Sequence, residues 1–182
     1  MKQETRNRES DLKTANDRIT LLEETLKKER EKNINLEQYT RRENLRFNNI
    51  KEAGPYEDCK AIVLQILEAD LEIDTSHIRF HAVHRVGKAR PDRIRPIIAR
   101  FVCREDRDTV WSKRRKIKDS TEYDDPYITE DYAKAIQLER RVLIQAMLRA
   151  KEQSVSNAKV LGRHLVVNNE RYTISNIPEQ FK

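Results

Sequence analysis

The stretch NLRFNNI, residues 44–50, decides the fold because the sequence changes its period there. Leu45 and Phe47 alternate with polar residues, and alternation with a period of two residues predicts a β-strand. The turn-forming pair Gly54-Pro55 follows and ends the strand. Before this stretch the apolar residues recur at helical spacing instead. The strand therefore marks the start of a separate domain, which we place at residues 44–128.

Downstream of this strand the periodicities predict the element order βαββαβ. The pattern rests on Cys59, Ile62, Val63, Ile66, Leu67 and Leu71 for the first helix, Ile78, Phe80 and Ala82 for the second strand, residues 97–102 for the third strand, Val110, Trp111, Arg114 and Ile117 for the second helix, and residues 127–129 for the fourth strand. In this split βαβ arrangement both helices cover one face of a four-stranded sheet, and the other face stays open. The predicted fold class is α+β.

Upstream, two series of residues spaced by seven predict a parallel coiled coil over residues 1–43. The a positions are Leu12, Ile19, Leu26 and Asn33, and the d positions are Ala15, Leu22, Glu29 and Leu36. Arg18 and Glu23 flank one a/d layer at g and e, and this arrangement resembles a trimer-favouring motif of short parallel coiled coils. Ile at a with Leu at d is also the preference of dimers, and Asn33 is a polar register-setting residue. We favour a trimer over a dimer.

Residues 129–182 are predicted to form a small C-terminal α+β domain. A helix is expected from Asp131 to about Gln153, with acidic residues at its start and basic residues near its end, as the helix dipole favours. Two short strands, residues 165–167 and 172–174, are separated by Asn168-Asn169-Glu170 and predict a hairpin.

Composition argues against an enzyme and for a polyanionic partner. Only 3 of the 182 residues are Gly, which excludes glycine-rich phosphate cradles, and no nucleophile-elbow or zinc-protease motif occurs. The net charge is +6, but residues 79–118 alone contain 14 basic and 4 acidic residues. A merely soluble surface would mix the two signs more evenly. The concentration of charge in one small domain favours a polyanion as ligand.

The histidines and cysteines predict neither a metal nor a cofactor. His77, His81, His84 and Cys103 match no four-ligand zinc spacing. Cys59 and Cys103 are expected to be buried free thiols of a reducing compartment. The sequence has no signal peptide and no apolar run near the ~18 residues of a membrane span. We expect an intracellular protein with no membrane contact, no cofactor and no small-molecule substrate.

The open sheet face is the predicted binding surface. Residues 45–50 fit the first-strand pattern of an RNA-recognition motif except at Arg46, where a base-stacking aromatic is usual, and Ile98 and Arg100 take the open face of the third strand. A guanidinium can stack on a base while it pairs with phosphate, so strong charge dependence and weak sequence choice are expected. The alternative is a ferredoxin-like domain with solvated arginines. Against it stand the basic residues Arg90, Arg93, Arg95, Lys113, Arg114, Arg115 and Lys116.

Three strings, in the same order along the chain, carry a family resemblance. They are residues 41–46 (RRENLR), residues 95–101 (RPIIARF), and residues 128–131 (ITED) through Arg140-Arg141. With the domain order they make the chain similar to the first-open-reading-frame proteins of LINE-type retrotransposons. The resemblance implies that RNA is contacted by Asn44, Arg46, Arg85, Arg95, Arg100, Arg140 or Arg141, and Tyr172. The chain departs from the mammalian pattern by a shorter coil and an earlier C-terminal end.

Such proteins coat the RNA of their own element and act as nucleic-acid chaperones during target-primed reverse transcription. The resemblance therefore implies a homotrimer that binds single-stranded RNA and also single-stranded DNA, in cytoplasmic ribonucleoprotein particles with the nucleus as a second location. Two other hypotheses stay open. In a basic-zipper DNA-binding protein the basic region would precede the zipper, whereas here it follows. A host scaffold derived from a retroelement would share the coil but bind little RNA.

Overall fold

The computed structural model describes residues 2–54, 56–155 and 157–182, and it confirms the α+β class. It contains a long N-terminal helix and an antiparallel four-stranded sheet. The chain divides into two compact units. Thr40–Tyr132 form the sheet unit, and Met1–Tyr39 with Ala133–Lys182 form the terminal unit.

Helix α1 spans Lys2–Arg41, 40 residues without Gly or Pro. At 1.5 Å per residue it is about 60 Å long. The residues of the predicted coiled-coil seam are all exposed in the single chain: Leu12, Ala15, Arg18, Ile19, Leu22, Glu23, Leu26, Asn33 and Leu36. Its large apolar seam residues, such as Ile19 and Leu22, are at least half exposed. The helix thus carries an apolar stripe that the chain itself leaves in contact with solvent.

The sheet unit follows the order β-α-β-β-α-β. Its elements are β1 (Asn44–Asn48), α2 (Cys59–Ala69), β2 (Phe80–Arg85), β3 (Ile97–Phe101), α3 (Arg104–Lys113), a 3-10 helix (Arg114–Asp119) and β4 (Tyr127–Glu130). The strands are antiparallel neighbours in the order β2-β3-β1-β4. Arg46 lies opposite Ile98 of β3 on one side and opposite Thr129 of β4 on the other.

The core of the sheet unit lies between one face of the sheet and the two helices. Alternate residues of the central strands point into it, because successive side chains of a strand leave on opposite faces. Leu45, Phe47, Ile97, Ala99 and Phe101 are fully buried there, against Val63, Ile66 and Leu67 of α2 and Val110 of α3. The other face carries Asn44, Arg46, Asn48, Ile98, Arg100, Tyr127 and Thr129, and we call it the polar face.

The terminal unit has a second, smaller core. Its elements beyond α1 are α4 (Lys134–Glu152), β5 (Lys159–Leu161), β6 (His164–Val167), β7 (Glu170–Tyr172) and a 3-10 helix (Glu179–Phe181). The strands form an antiparallel sheet in the order β5-β6-β7. Leu143 and Ala150 of α4 pack with Leu165 of β6 and Phe181 in the core.

Three local predictions differ from the structure. Helix α4 begins at Lys134 rather than at Asp131, because Glu130 belongs to β4 and Asp131 is buried in the sheet unit. The hairpin turn takes only Asn168 and Asn169, both with positive φ as a two-residue turn requires, so β7 starts at Glu170. Strand β5 was not predicted.

The two cysteines also differ from the prediction. Both are free, as predicted, but each is half-buried rather than buried. Burial raises the pKa of the Cys59 thiol, which also lies beside the Glu57 carboxylate.

Candidate nucleic-acid interface

A pocket of about 300 Å³ opens beside the start of β3 in the sheet unit. The described residues that line it are Arg46, Val86, Gly87, Lys88, Arg90, Arg93, Arg95 and Pro96. Five of these eight are cations and none is a carboxylate, so we call it the basic pocket. A concave surface lined by charges of one sign concentrates counter-ions of the opposite sign.

The loop between β2 and β3 builds most of this pocket by folding back on itself. The Val86 amide donates to the Pro96 carbonyl at 2.9 Å, which closes the base of the loop. Arg90 and Arg93 form an isolated antiparallel bridge at its tip. Gly87 has φ +102°, a conformation that side chains rarely adopt, and it lets the loop turn. Because the loop closes on itself, its arginines lie along one wall of the pocket. In a longer, open loop they would be farther apart.

Arg95 is held in place by Glu52. Its Nη2 donates to Glu52 Oε2 at 2.6 Å, and its backbone amide donates to Oε1 at 3.0 Å. These hydrogen bonds lower the pKa of Glu52 to about 2 and raise the pKa of Arg95. Arg95 therefore carries a partner carboxylate and contributes little to the net charge of the pocket.

Arg46 is held from the opposite side by a buried carboxylate. Asp131 follows β4, and its side chain has no exposed surface. Its Oδ1 accepts a hydrogen bond from Arg46 Nε at 2.6 Å, and its Oδ2 accepts from Arg41 Nη1 and Asn44 Nδ2, both at 2.9 Å. One carboxylate thus ties together the end of α1, the first and middle residues of β1, and the end of β4.

Asp131 holds other residues of the candidate interface in place, and the sequence patterns did not predict this role. Its position just before α4 indicated a helix-dipole role, and nothing local distinguishes it from such a residue. Its partners lie 85 to 90 residues away along the chain. Only the pairing of β1 with β4, which places Leu45 opposite Glu130, brings these groups together.

Arg85 occupies a different environment from the other predicted contacts. Its side chain is only 4% exposed and donates to both carboxylate oxygens of Glu57, at 2.6 and 2.9 Å. It also donates to three backbone carbonyls, those of Ile50, Lys51 and Arg95. This pairing lowers the pKa of Glu57. Arg85 joins the two loops beside the pocket, and we leave it out of the candidate interface.

The basic run after α3 stands apart from the pocket. Lys113 Nζ donates to the Glu72 carbonyl at 2.8 Å, and Lys116 Nζ pairs with the Glu72 carboxylate at 2.5 Å, which lowers the pKa of Glu72. The Arg114 guanidinium lies 3.9 Å from the centre of the Trp111 ring. Arg115 is exposed. Three of the four cations in this run thus have partners within the sheet unit.

The remaining predicted contacts fall on both units. Asn44 and Arg100 lie opposite each other on the polar face, where Arg100 is exposed and Asn44 is buried against Asp131. In the terminal unit, Arg140 donates to the Gly162 carbonyl and Arg141 is exposed on α4. Tyr172 donates to the Glu170 carboxylate, which raises the pKa of Tyr172.

The chain matches no protein-family model and no curated protein. Among the described residues, no cluster of His, Cys, Asp or Glu is arranged to hold a metal ion. Within the same residues, the structure has no helix both long and apolar enough to cross a membrane.

Proposed function

We propose that this chain binds single-stranded RNA as a self-associating coat and nucleic-acid chaperone, of the type found in LINE-type retrotransposons. The observation that carries the proposal is the basic pocket, with five cations and no carboxylate among its eight described lining residues. Phosphates of a nucleic-acid backbone are the polyanion that such arginine-rich surfaces suit best.

The arrangement of the sheet unit supports RNA as the main ligand. Its element order, its strand order β2-β3-β1-β4 and the placement of both helices on one face are similar to an RNA-recognition motif. Domains of that type bind single strands on the face away from the helices. In this chain that face is the polar face, and Arg46 belongs both to it and to the basic pocket.

The groups available on these surfaces favour binding without strong base selection. Arginines contact phosphate and stack on any base, but they do not by themselves distinguish ribose from deoxyribose. Single-stranded DNA is therefore a second ligand of the same site. Weak base selection is also what a coat protein needs, because it must cover many different sequences.

Helix α1 supports self-association through a parallel coiled coil. Its heptad positions Ile19, Leu22 and Leu26 present apolar side chains to solvent. A solitary helix of this kind would expose its seam permanently, whereas a coiled coil buries the a and d residues in knobs-into-holes packing. Three copies would place three basic pockets on one particle, and linked sites bind a long strand more tightly than separate ones.

A salt series tests the proposal. We expect the logarithm of the RNA association constant of the full chain to fall linearly with the logarithm of salt concentration, by about 0.7 per neutralised phosphate. Arg90→Ala combined with Arg93→Ala should make this slope shallower by about 1.4, which is about 0.7 for each lost phosphate contact, and should weaken binding. Lys113→Ala combined with Lys116→Ala is the matched control, because it removes the same charge from residues already held by Glu72.

The control should change the slope by less than half as much as the pocket variant. A wild-type slope near zero would reject nucleic-acid binding and favour the scaffold hypothesis. Equal effects of the two double variants would show that binding depends on net charge alone and would move the site away from the basic pocket.

A further inference from the structure

We propose that Tyr127 is a base-stacking residue at the β4 edge of the polar face, and that it acts on a base next to a phosphate held in the basic pocket. This inference rests on the proposed function. It assigns a role to the edge strand β4, whereas the first-strand and third-strand patterns concern only β1 and β3.

Strand geometry places the Tyr127 side chain on the polar face. Its neighbour Ile128 is buried in the core, so the residues on either side of Ile128 turn the other way. The Asn48 amide donates to Thr129 Oγ1 and to the Tyr127 carbonyl, both at 3.2 Å, which confirms that Thr129 shares a face with Asn48. Tyr127 lies two residues from Thr129 and therefore on the same face, with 41% of its surface exposed.

Strand register places Tyr127 in the same row as the basic pocket. Asn48 pairs with Tyr127 on β4, and Phe47 pairs with Ile97 on β3, so Asn48 also lies beside Pro96. Pro96 lines the basic pocket. Neighbouring strands are about 4.8 Å apart, so two strand spacings, about 10 Å, separate Pro96 from Tyr127. A single strand that crosses the sheet along this row can reach both.

The backbone just before Tyr127 is held in place in the unbound chain. Asp125 has φ +44°, and its carbonyl accepts a hydrogen bond from the Asn49 side chain at 3.0 Å. This contact ties the start of β4 to the end of β1. Because Tyr127 follows a tethered turn and sits in a paired strand, its backbone is already ordered before a base packs on the ring.

Tyr127 supplies an aromatic surface that the central strands of the polar face lack. On β1 and β3 the central positions are Arg46 and Ile98, neither of which is aromatic. A phenol ring offers a flat apolar surface to any base, and stacking of this kind contributes without regard to sequence. Tyr127 would supply the affinity for bases, and the basic pocket would supply the affinity for phosphates.

Fluorescence anisotropy of the full chain with labelled 12-nucleotide oligo(A), intact or with abasic sites, tests this division. Tyr127→Ala should weaken binding of the intact strand at least about fivefold and leave the salt slope unchanged, because stacking releases no counter-ions. Tyr127→Phe should bind as wild type does, and Tyr127→Leu should bind as Tyr127→Ala does. Tyr56→Ala, which removes a 98% exposed tyrosine of a loop, is the matched control and should have no effect.

Binding to the abasic strand distinguishes the stacking role of Tyr127 from nucleic-acid binding by the chain as a whole. Wild type should prefer the intact strand, and Tyr127→Ala should lose that preference. If wild type binds with a salt-dependent slope but Tyr127→Ala matches Tyr56→Ala, the stacking role is overturned and the proposed function stands. If wild type binds neither strand, the proposed function fails first. Unchanged Trp111 fluorescence in each variant confirms that the sheet unit is folded.

Discussion

Replacing Asp131 by Asn should unfold the sheet unit at markedly lower denaturant concentration. The amide has the size of the carboxylate but not its charge, so the substitution removes the anion while leaving the packing nearly intact. In the native chain this anion accepts hydrogen bonds from two guanidinium groups, Arg41 and Arg46, and from the Asn44 amide. The variant leaves two cations without their common partner and sets one amide against another.

The size of the effect follows from burial. Removing one partner of a fully buried ion pair costs about 3 to 5 kcal/mol of the free energy of unfolding. Here the carboxylate is buried but the side chains of Arg41 and Arg46 are 32% and 22% exposed, so water can solvate part of the released charge. We therefore expect a loss of about 3 kcal/mol, at the lower end of that range.

Urea denaturation followed by Trp111 fluorescence measures this loss, because Trp111 is the single tryptophan and belongs to the sheet unit. With a denaturant slope of about 2 kcal/mol per molar, the midpoint should fall by about 1.5 M. Asp124→Asn is the control, since Asp124 is exposed on the connection that precedes β4 and should stay within about 0.5 kcal/mol of wild type. Equal midpoints for the two variants would refute the anchoring role of Asp131.

Three further outcomes are expected. Ile19→Asp combined with Leu22→Asp should convert the oligomer to monomers in sedimentation. Thr20→Asp combined with Lys27→Asp lies outside the seam and should preserve the oligomer. A wild-type monomer at micromolar concentration would contradict the coiled coil. Because the pKa of Glu52 is lowered from 4.5 to about 2, its ion pair stabilises the fold fully above pH 4.5 and is lost as the pH falls towards 2. Glu52→Gln should flatten the pH dependence of the urea midpoint in that window, and an unchanged profile would argue against the pair. Arg85→Met should lower the free energy of unfolding by about 3 kcal/mol and leave the salt slope of RNA binding unchanged. A shallower slope would show that Arg85 belongs to the interface.

Short-range periodicity predicted the architecture well. The alternation around Phe47 predicted β1, and the even spacing of Leu12 and Leu26 predicted a long helix; the structure has both. These features depend only on residues close in sequence. Strand β5 was missed because its three residues, Lys159–Leu161, are too few to show a period. Its place in the sheet comes from pairing with β6 rather than from its own composition.

The candidate site was predictable in composition but not in arrangement. Charge clustering selected the loop that holds Arg90 and Arg93, and the structure places both in the basic pocket. The same criterion selected Lys116, and the family resemblance selected Arg85. Both have carboxylate partners that neither criterion takes into account. Which arginine faces solvent and which is buried depends on long-range pairing. A sequence pattern therefore identifies the basic surface more reliably than its individual contacts.

The arginine content of the basic pocket determines how the surface responds to covalent modification in a cell. Lysine acetylation removes a positive charge, but arginine is not a substrate for that chemistry and stays protonated at any physiological pH. Of the five cations around the pocket only Lys88 is a lysine. Acetylation can thus remove one of the five charges, whereas it can remove two of the four in the run Lys113-Arg114-Arg115-Lys116. Enzymes that acetylate lysine could therefore remove up to half of the positive charge of that run but at most a fifth of the positive charge around the basic pocket.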